Sequence, residues 1–345
     1  MEQFNNTLTS RGLKPSSIKT YNSNLTKLIK DVGFNFTGPD SIKSNLDKIL
    51  ELIETKKTSV KKNYLAVLLV ILSPKKKFPL PEYKKEYELL NTMIIKLNND
   101  YSQTLKDKQL KPADLNNVIS LEEVRQMRDN QTALILTRFK KTHKLRDSDL
   151  RIIQDIFILG LYTYLPPRRL IFASCLKMED TDYKKLSDYS KDNNVILVHS
   201  KAKVPRFIHY GRNATKSKTP EHVVVPIRNP QHKKLCKLWL NINTTPHLLL
   251  QTDMKTKLTE NGLSKRFKSI FNLLFKKDIG IVLFRKLFIS QTITADLSVE
   301  QQELIAKQMG HTPSIQMGVY HKKIPEQKTE KKEKKEKKIK FKIKK

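Results

Sequence analysis

The sequence predicts a mainly α-helical protein with a small antiparallel β-sheet, an α+β fold. In the first hundred residues, apolar side chains recur at helical spacing and lysines crowd the opposite faces. Three short runs rich in β-branched and aromatic residues come later: Val195–Val198, Arg206–Tyr210 and His222–Ile227. Helical spacing then resumes, and 345 residues are enough for two separate cores.

The first region predicts a small helical bundle with a basic exterior. One helix begins near Ser16, a second at Ser41, a third spans about Ser59–Leu72 and a fourth comes after Pro81. The apolar run Tyr64–Leu72 is about half as long as the ~20 residues that a membrane-spanning helix needs, so we expect a buried core helix there.

A change of pattern marks the expected domain boundary. Helical periodicity is lost from Asn98 to about Asn117. We therefore place a helical domain at 1–105, a linker at 106–117, a second domain at 118–325 and a Lys/Glu-rich tail at 326–345.

The second domain predicts further helices around the three strands. Ser120 with Glu123 forms a capping box. The helix from about Ser148 to Tyr164 is apolar on most sides and is ended by Pro166 and Pro167. The later helical segments are Leu235–Leu240, Leu258–Phe275, Leu283–Ile293 and Ser298–Met309.

The charge of the chain indicates a polyanionic partner. Lys and Arg number 67 against 34 Asp and Glu, a formal net charge of +33. Nucleic acid is the first expectation and an anionic membrane surface the second. From His321 onward there are 13 Lys and 4 Glu, so we expect the tail to be disordered. It adds sequence-blind affinity, acts as a nuclear-import-like basic patch, or is a solvated tail without a role.

The two cysteines, Cys175 and Cys236, lie in apolar surroundings without metal-ligand spacing. The absence of a disulfide framework fits a reducing, intracellular compartment. Met1–Ser10 has no apolar stretch of the kind found in secretory signals, so we expect a protein that is not secreted.

Chemistry-bearing residues cluster near the end of the chain. Gly310 ends one helix, His311 comes next, and Thr312 with Pro313 starts another helix. Tyr320 lies nine residues after the histidine, about two turns into that helix. Alone, a Gly-His pair with a later tyrosine is common in unrelated proteins.

Three basic motifs precede this one, and each alone also fits an ordinary surface charge. Arg168 and Arg169 come directly after the buried helix, where they fit capping arginines as well. Lys216 and Lys218 lie in the turn before the third strand, where lysines usually serve solubility. Arg285 lies near the start of a late apolar helix, a position that also suits a solvated arginine.

In combination, the order and spacing of these motifs resemble the tyrosine recombinase (phage-type integrase) family. The Pro-Pro-Arg-Arg form of the first motif is similar to integrases of large DNA viruses, virophages and related mobile elements. The resemblance covers about Asn117 to Lys323. It extends more loosely to the N-terminal helices, which resemble the family's core-binding, DNA-clamp domain.

The resemblance assigns a role to each motif. It implies that Tyr320 is the nucleophile and Lys218 the general acid. Arg169 is preferred over its neighbour Arg168 because the apolar positions after it match the helix pattern of the family. The full catalytic set implied is Arg169, Lys218, Arg285, His311 and Tyr320.

The resemblance also implies the reaction and the partners. A site-specific recombinase or integrase cleaves and rejoins DNA through a 3′-phosphotyrosyl intermediate and needs neither a metal nor another cofactor, because arginines meet the charge on the phosphate. The implied partner is double-stranded DNA, bound by a homodimer on each site and a homotetramer at synapsis, with no membrane and no small-molecule ligand. The role would be integration of a viral or mobile-element genome, in the host nucleus or cytoplasm.

One position departs from the family pattern. Val282 stands where the family usually has a histidine, three residues before Arg285, and valine exchanges no protons. This departure favours one alternative, a non-catalytic DNA-binding protein derived from a recombinase. A second alternative is a type IB topoisomerase-like nicking-closing enzyme, which shares the tyrosine, the arginines and the lysine.

Overall fold

The chain folds into two compact units, Met1–Asp107 and Lys108–Lys345. The computed structural model describes residues 1–13, 15–75, 78–106, 108–139, 145–179, 182, 194–198, 205–210, 223–294 and 296–324. The protein is mainly helical with one small sheet, which confirms the predicted fold class.

The first unit is a helical bundle built around one apolar helix. Its helices are α1 (Glu2–Ser10), α2 (Pro15–Val32), α3 (Pro39–Ser44), α4 (Leu46–Thr55), α5 (Thr58–Leu72) and α6 (Lys84–Lys106). α5 is buried on most sides and contacts each of the other five. The run Tyr64–Leu72 thus forms the core helix that its length predicted.

The last helix of this unit is longer than the sequence pattern predicted. α6 continues to Lys106, eight residues past Asn98, where periodicity is lost. The extension is polar, but its residues include no Gly and no Pro, so a solvent-exposed helix is tolerated there. A short helix, α7 (Pro112–Leu115), lies inside the stretch that was predicted to be a linker.

The second unit has a larger core with α9 at its centre. Its further helices are α8 (Leu121–Phe139), α9 (Asp147–Thr163), α10 (Pro230–Ile242), α11 (Glu260–Phe275), α12 (Ile281–Thr292), α13 (Val299–Met309) and α14 (Pro313–Ile315). α9 packs against α8, α10 and α11. It ends at Thr163, within one residue of the predicted end, and Pro166 and Pro167 prevent the helix from continuing.

A four-stranded sheet lies beside these helices in the order β1-β2-β3-β4. The strands are β1 (Leu176–Glu179), β2 (Val195–Val198), β3 (Pro205–Tyr210) and β4 (Val223–Pro226). The three predicted strands pair antiparallel, as expected, whereas β1 pairs with β2 in parallel. The sheet is therefore mixed, which corrects the expectation of an antiparallel sheet.

The strand β1 also corrects a sequence interpretation. The apolar positions from Leu170 to Met178 matched a helix pattern, yet Ile171–Ser174 forms a single 3₁₀ turn and the chain is extended from Cys175 onward. The cause is long-range pairing, since the amide of Leu176 donates to the carbonyl of Asn194 at 2.9 Å.

Several predicted features lie outside the described residues: the turn with Lys216 and Lys218, and the tail 326–345. Within the described part of the chain, no helix combines the length and the hydropathy needed to cross a membrane. Cys175 and Cys236 are both buried and unpaired with each other.

Candidate active site

The segment that carries Tyr320 begins where α13 ends. Gly310 adopts left-handed angles (φ 74°, ψ 42°), which glycine tolerates, and turns the chain out of the helix. Thr312 caps the next turn by accepting from the amide of Ile315 at 3.4 Å, with Pro313 in the first helical position. This start was predicted, but the helix continues as a π-type turn, Gln316–Tyr320.

Tyr320 is buried, and three of the predicted site residues surround it. Its hydroxyl oxygen accepts from Nε and Nη2 of Arg169 at 3.3 and 3.1 Å. The guanidinium carbon of Arg285 lies 4.6 Å from the centre of its ring. The ring of His311 stacks on it with centroids 5.0 Å apart and planes 19° apart.

Arg169 leaves the core in the short loop after α9, and its side chain is exposed. The loop is held by Tyr162 on α9, whose hydroxyl donates to the carbonyl of Arg169 at 2.6 Å. The ring of Tyr162 is fully buried against Phe172 and Phe267, with centroids 5.1 and 4.8 Å away. Arg169 therefore combines a fixed backbone with an accessible guanidinium.

Arg285 is the fifth residue of α12 and is 1% exposed. Its Nη1 donates to the carbonyls of Pro167 at 2.7 Å and Met309 at 3.2 Å. A single guanidinium thus joins the arginine loop to the end of α13 while its face lies against Tyr320. Its Nε is buried without a hydrogen-bond partner among the described residues.

Arg168 points away from the tyrosine, although it precedes Arg169 directly. It is 1% exposed, and its Nε and Nη2 donate to the carbonyls of Gln308 and Lys307 at 2.5 and 2.9 Å. Arg169 therefore contacts Tyr320, whereas Arg168 holds a helix end; which of the two is catalytic stays a prediction.

The positive charges act on both titratable rings. Burial opposes ionisation of the Tyr320 hydroxyl, but the charges of Arg285 and Arg169 outweigh it and lower its pKa from the ordinary value. Burial, together with the smaller effect of the charge of Arg285, lowers the pKa of His311 to about 4. The imidazole is therefore neutral near pH 7, and its Nε2 is buried without a hydrogen-bond partner among the described residues.

The structure thus brings together four of the five predicted site residues, Arg169, Arg285, His311 and Tyr320. Lys218 lies outside the described residues, so its position relative to Tyr320 stays a prediction. Val282 lies one turn before Arg285 on α12, and its side chain is 57% exposed.

Sequence reasoning missed Tyr162 as a support of Arg169. The only sequence signal was a tyrosine on an otherwise apolar helix, whose hydroxyl needs a partner when the ring is buried. Across the described residues, no cluster of His, Cys, Asp or Glu has the arrangement of a metal site.

Comparison with known proteins adds little to this geometry. No protein-family model and no curated protein matches the sequence. Among solved structures, the chain is similar to the crystal structure of XerA recombinase, with 10% sequence identity and a TM-score of 0.38, over 93% of this chain and 92% of that one. A likeness of this size supports no conclusion about function, which therefore depends on the site itself.

Proposed function

We propose that this chain is a tyrosine recombinase that cleaves and rejoins DNA strands through a covalent bond between Tyr320 and DNA. The observation that carries this proposal is the hydroxyl of Tyr320, which accepts two hydrogen bonds from Arg169 above the guanidinium of Arg285. A tyrosine surrounded by cations is suited to act as an oxygen nucleophile on a phosphodiester, because the same cations stabilise the phenolate and the phosphate.

In the first step, the oxygen of Tyr320 forms a bond to the scissile phosphorus and the bond from phosphorus to the 5′-oxygen breaks. The product is a 3′-phosphotyrosyl linkage and a free 5′-hydroxyl. Tyr320 loses its proton to water, and the leaving 5′-oxygen gains one from Lys218, the proposed general acid. Reversal with a different 5′-hydroxyl joins new strands.

The arginines supply the charge that this reaction needs. Guanidinium groups match phosphate oxygens with two parallel hydrogen bonds, and Arg169 offers an exposed group of this kind. The unpaired Nε of Arg285 and the unpaired ring nitrogen of His311 are polar atoms that the described residues leave unsatisfied. Such atoms are expected where an anionic ligand completes the site.

Double-stranded DNA is the proposed partner, bound by both units. The net charge of +33 supports a polyanion, and phosphate contacts would give most of the affinity. In this proposal the first unit serves as the core-binding domain, two copies bind each site and four assemble at synapsis. Integration of a viral or mobile-element genome is the proposed biological role.

A strand-cleavage assay tests the proposal directly. With a suicide duplex that loses its 5′ fragment after cleavage, the wild type should form a covalent adduct that maps to Tyr320. Tyr320→Phe keeps the buried ring but lacks the oxygen, so it should bind DNA nearly as tightly and form no adduct.

Three outcomes would contradict this proposal. An adduct at Tyr162, Tyr164 or Tyr210 in the Tyr320→Phe variant would show that the nucleophile is misassigned. Binding of DNA without any adduct from the wild type would favour the non-catalytic alternative. If an adduct forms, relaxation of supercoiled DNA without strand exchange between two duplexes would favour the topoisomerase alternative.

A further inference from the structure

We propose that Arg168 is a positioning residue that holds the Tyr320 segment in register with Arg169, an inference that rests on the proposed function. Arg168 and Arg169 are adjacent in the chain, but their side chains bond to different parts of the protein. One guanidinium contacts the hydroxyl of Tyr320, and the other contacts the helix end from which the Tyr320 segment continues.

The end of α13 shows why this arginine is needed. The last carbonyls of a helix lack the usual amide partner one turn further along the helix, so other groups bond to them. The carbonyls of Lys307 and Gln308 accept from Arg168, and the carbonyl of Met309 accepts from Arg285. The carbonyl of Lys307 also accepts from the amide of Gly310 at 3.1 Å. Two cations also complement the negative end of the helix dipole.

The contact with Arg168 fixes the site because the Tyr320 segment continues directly from the end of α13. Gly310 turns the backbone immediately after Met309, and His311 then stacks on Tyr320. The bonds of Arg168 join residues 139 and 140 positions apart in the sequence. They set the distance between the backbone of Arg169 and the segment that carries the nucleophile.

Arg168 is poorly placed to bind a phosphate itself. It is 1% exposed, and turning it towards a ligand would break its hydrogen bonds to two carbonyls at the end of α13. Arg169 is exposed and donates to a hydroxyl that a phosphate oxygen is expected to approach. The adjacent arginines therefore differ in the kind of contribution they make to cleavage.

A neutral substrate separates the two contributions. Arg169→Met should slow cleavage of normal DNA by about a hundredfold, and a methylphosphonate at the scissile position should recover most of that loss, because it carries no charge to stabilise. Arg168→Met should slow cleavage about tenfold to a hundredfold through misplacement of the reacting groups. That loss should be equal on the two substrates.

A conservative variant separates positioning from folding. Arg168→Lys places an ammonium near the same carbonyls and should recover part of the rate lost in Arg168→Met. The matched control is Arg266→Met, which removes a guanidinium that bonds Asp155 at 2.5 and 2.8 Å and lies outside the site. It should lower the thermal unfolding temperature without changing the ratio of rates on the two substrates.

A second readout needs no DNA, so it also tests the inference if the proposed function fails. The ionisation of Tyr320 can be measured as the difference in ultraviolet titration between each protein and the same protein carrying Tyr320→Phe. Arg168→Met should raise the pKa of Tyr320, because Arg169 and Arg285 are no longer held against it; Arg266→Met should not.

The inference is overturned by either of two results. A methylphosphonate that recovers the activity of Arg168→Met but not of Arg169→Met would make Arg168 the phosphate-binding arginine. An unchanged pKa of Tyr320 in Arg168→Met, together with a raised one in Arg169→Met, would show that Arg168 does not position the segment. Should Arg168→Met fail to fold, the same comparisons apply to Arg168→Lys, with smaller changes expected.

Discussion

At the scale of single residues, two arginines place positive charge next to Tyr320, but they contact it in different ways. Arg169 contacts the hydroxyl of Tyr320 edge-on through two nitrogens, whereas Arg285 lies under the ring. In this orientation the guanidinium of Arg169 is placed to donate hydrogen bonds to a phosphate that approaches the hydroxyl oxygen of Tyr320. The buried guanidinium of Arg285 keeps a positive charge close to Tyr320, the proposed nucleophile.

Loss of either arginine should therefore be severe. Arg169→Ala and Arg285→Ala should each reduce the cleavage rate by roughly a hundredfold or more, as expected when a partner of transition-state charge is removed. Lysine at either position should recover little, because one ammonium cannot donate two parallel bonds. The measurement is the single-turnover rate of adduct formation at saturating DNA.

Lys286→Ala is the control for these variants. Lys286 neighbours Arg285 in the chain, but its ammonium pairs with Asp114 at 3.1 Å and not with Tyr320. It should cleave at nearly the wild-type rate. A loss as large as that of Arg285→Ala would mean that general charge, and not contact with the nucleophile, determines the rate.

The general acid can be tested with the chemistry of the leaving group. If Lys218 protonates the 5′-oxygen, Lys218→Ala should slow cleavage of normal DNA strongly. In a substrate with a bridging 5′-sulfur, the sulfur leaves without being protonated. The same variant should therefore cleave this substrate almost as fast as the wild type does.

Lys216→Ala is the matched control, since it removes the same charge two residues away in the sequence. It should cleave both substrates normally and alter only the salt dependence of binding. If the sulfur substrate restores the cleavage rate of Lys216→Ala and not that of Lys218→Ala, Lys216 is the general acid.

At the scale of elements, helix α9 holds the loop that carries Arg168 and Arg169. Its centre is buried among α8, α10 and α11, and its last turn carries Tyr162 to the carbonyl of Arg169. Rings on three elements meet there: Tyr162 contacts Phe267 of α11, and Phe267 contacts Phe284 of α12 with centroids 5.7 Å apart. The loop with the arginines is thus attached to the buried centre of the unit.

Tyr162→Phe should weaken the attachment of the arginine loop to α9 while keeping the buried aromatic ring. The variant lacks one hydrogen bond, so the free energy of unfolding should fall by about 1 kcal/mol. Cleavage should slow by up to about tenfold because Arg169 is less well placed. DNA binding should be unchanged. The measurements are chemical denaturation and the single-turnover rate.

Tyr164→Phe is the control that distinguishes an effect on the arginine loop from a general loss of stability. The hydroxyl of Tyr164 donates to Asp129 at 2.7 Å and not to the arginine loop. Its loss should lower stability similarly and leave the cleavage rate unchanged. Equal slowing in both variants would attribute the effect to general stability.

At the scale of the whole molecule, the proposed affinity for DNA should depend mainly on charge. Residues 325–345 contain 11 Lys and 4 Glu. If the tail adds sequence-blind affinity, a chain that ends at Ile324 should bind DNA more weakly and with a shallower dependence on salt. At saturating DNA its rate of adduct formation should equal that of the full chain.

The control keeps the length of the tail and removes its charge, by replacing its lysines with glutamine. This variant should match the truncated chain in the slope of affinity against salt concentration. An unchanged slope in both proteins would leave the tail without a role in DNA binding.

The sequence alone determined the local structure wherever a repeating pattern decides it. Helical spacing predicted the buried helices α5 and α9, and Gly310 with Thr312 and Pro313 predicted the turn before Tyr320. These features depend on side chains a few residues apart, whose relative directions are set by the helix period and by the backbone preferences of glycine and proline.

Tertiary structure alone decided which side chains meet. Leu176–Glu179 became a strand because β2 offers it hydrogen bonds, although its apolar spacing also fitted a helix. Arg168 and Arg169 are adjacent in the sequence, yet their guanidinium groups bond to different partners: the end of α13 and Tyr320, 139 to 151 residues further along the chain. No local pattern carries that information, because the partners come together only when the core of the second unit has formed.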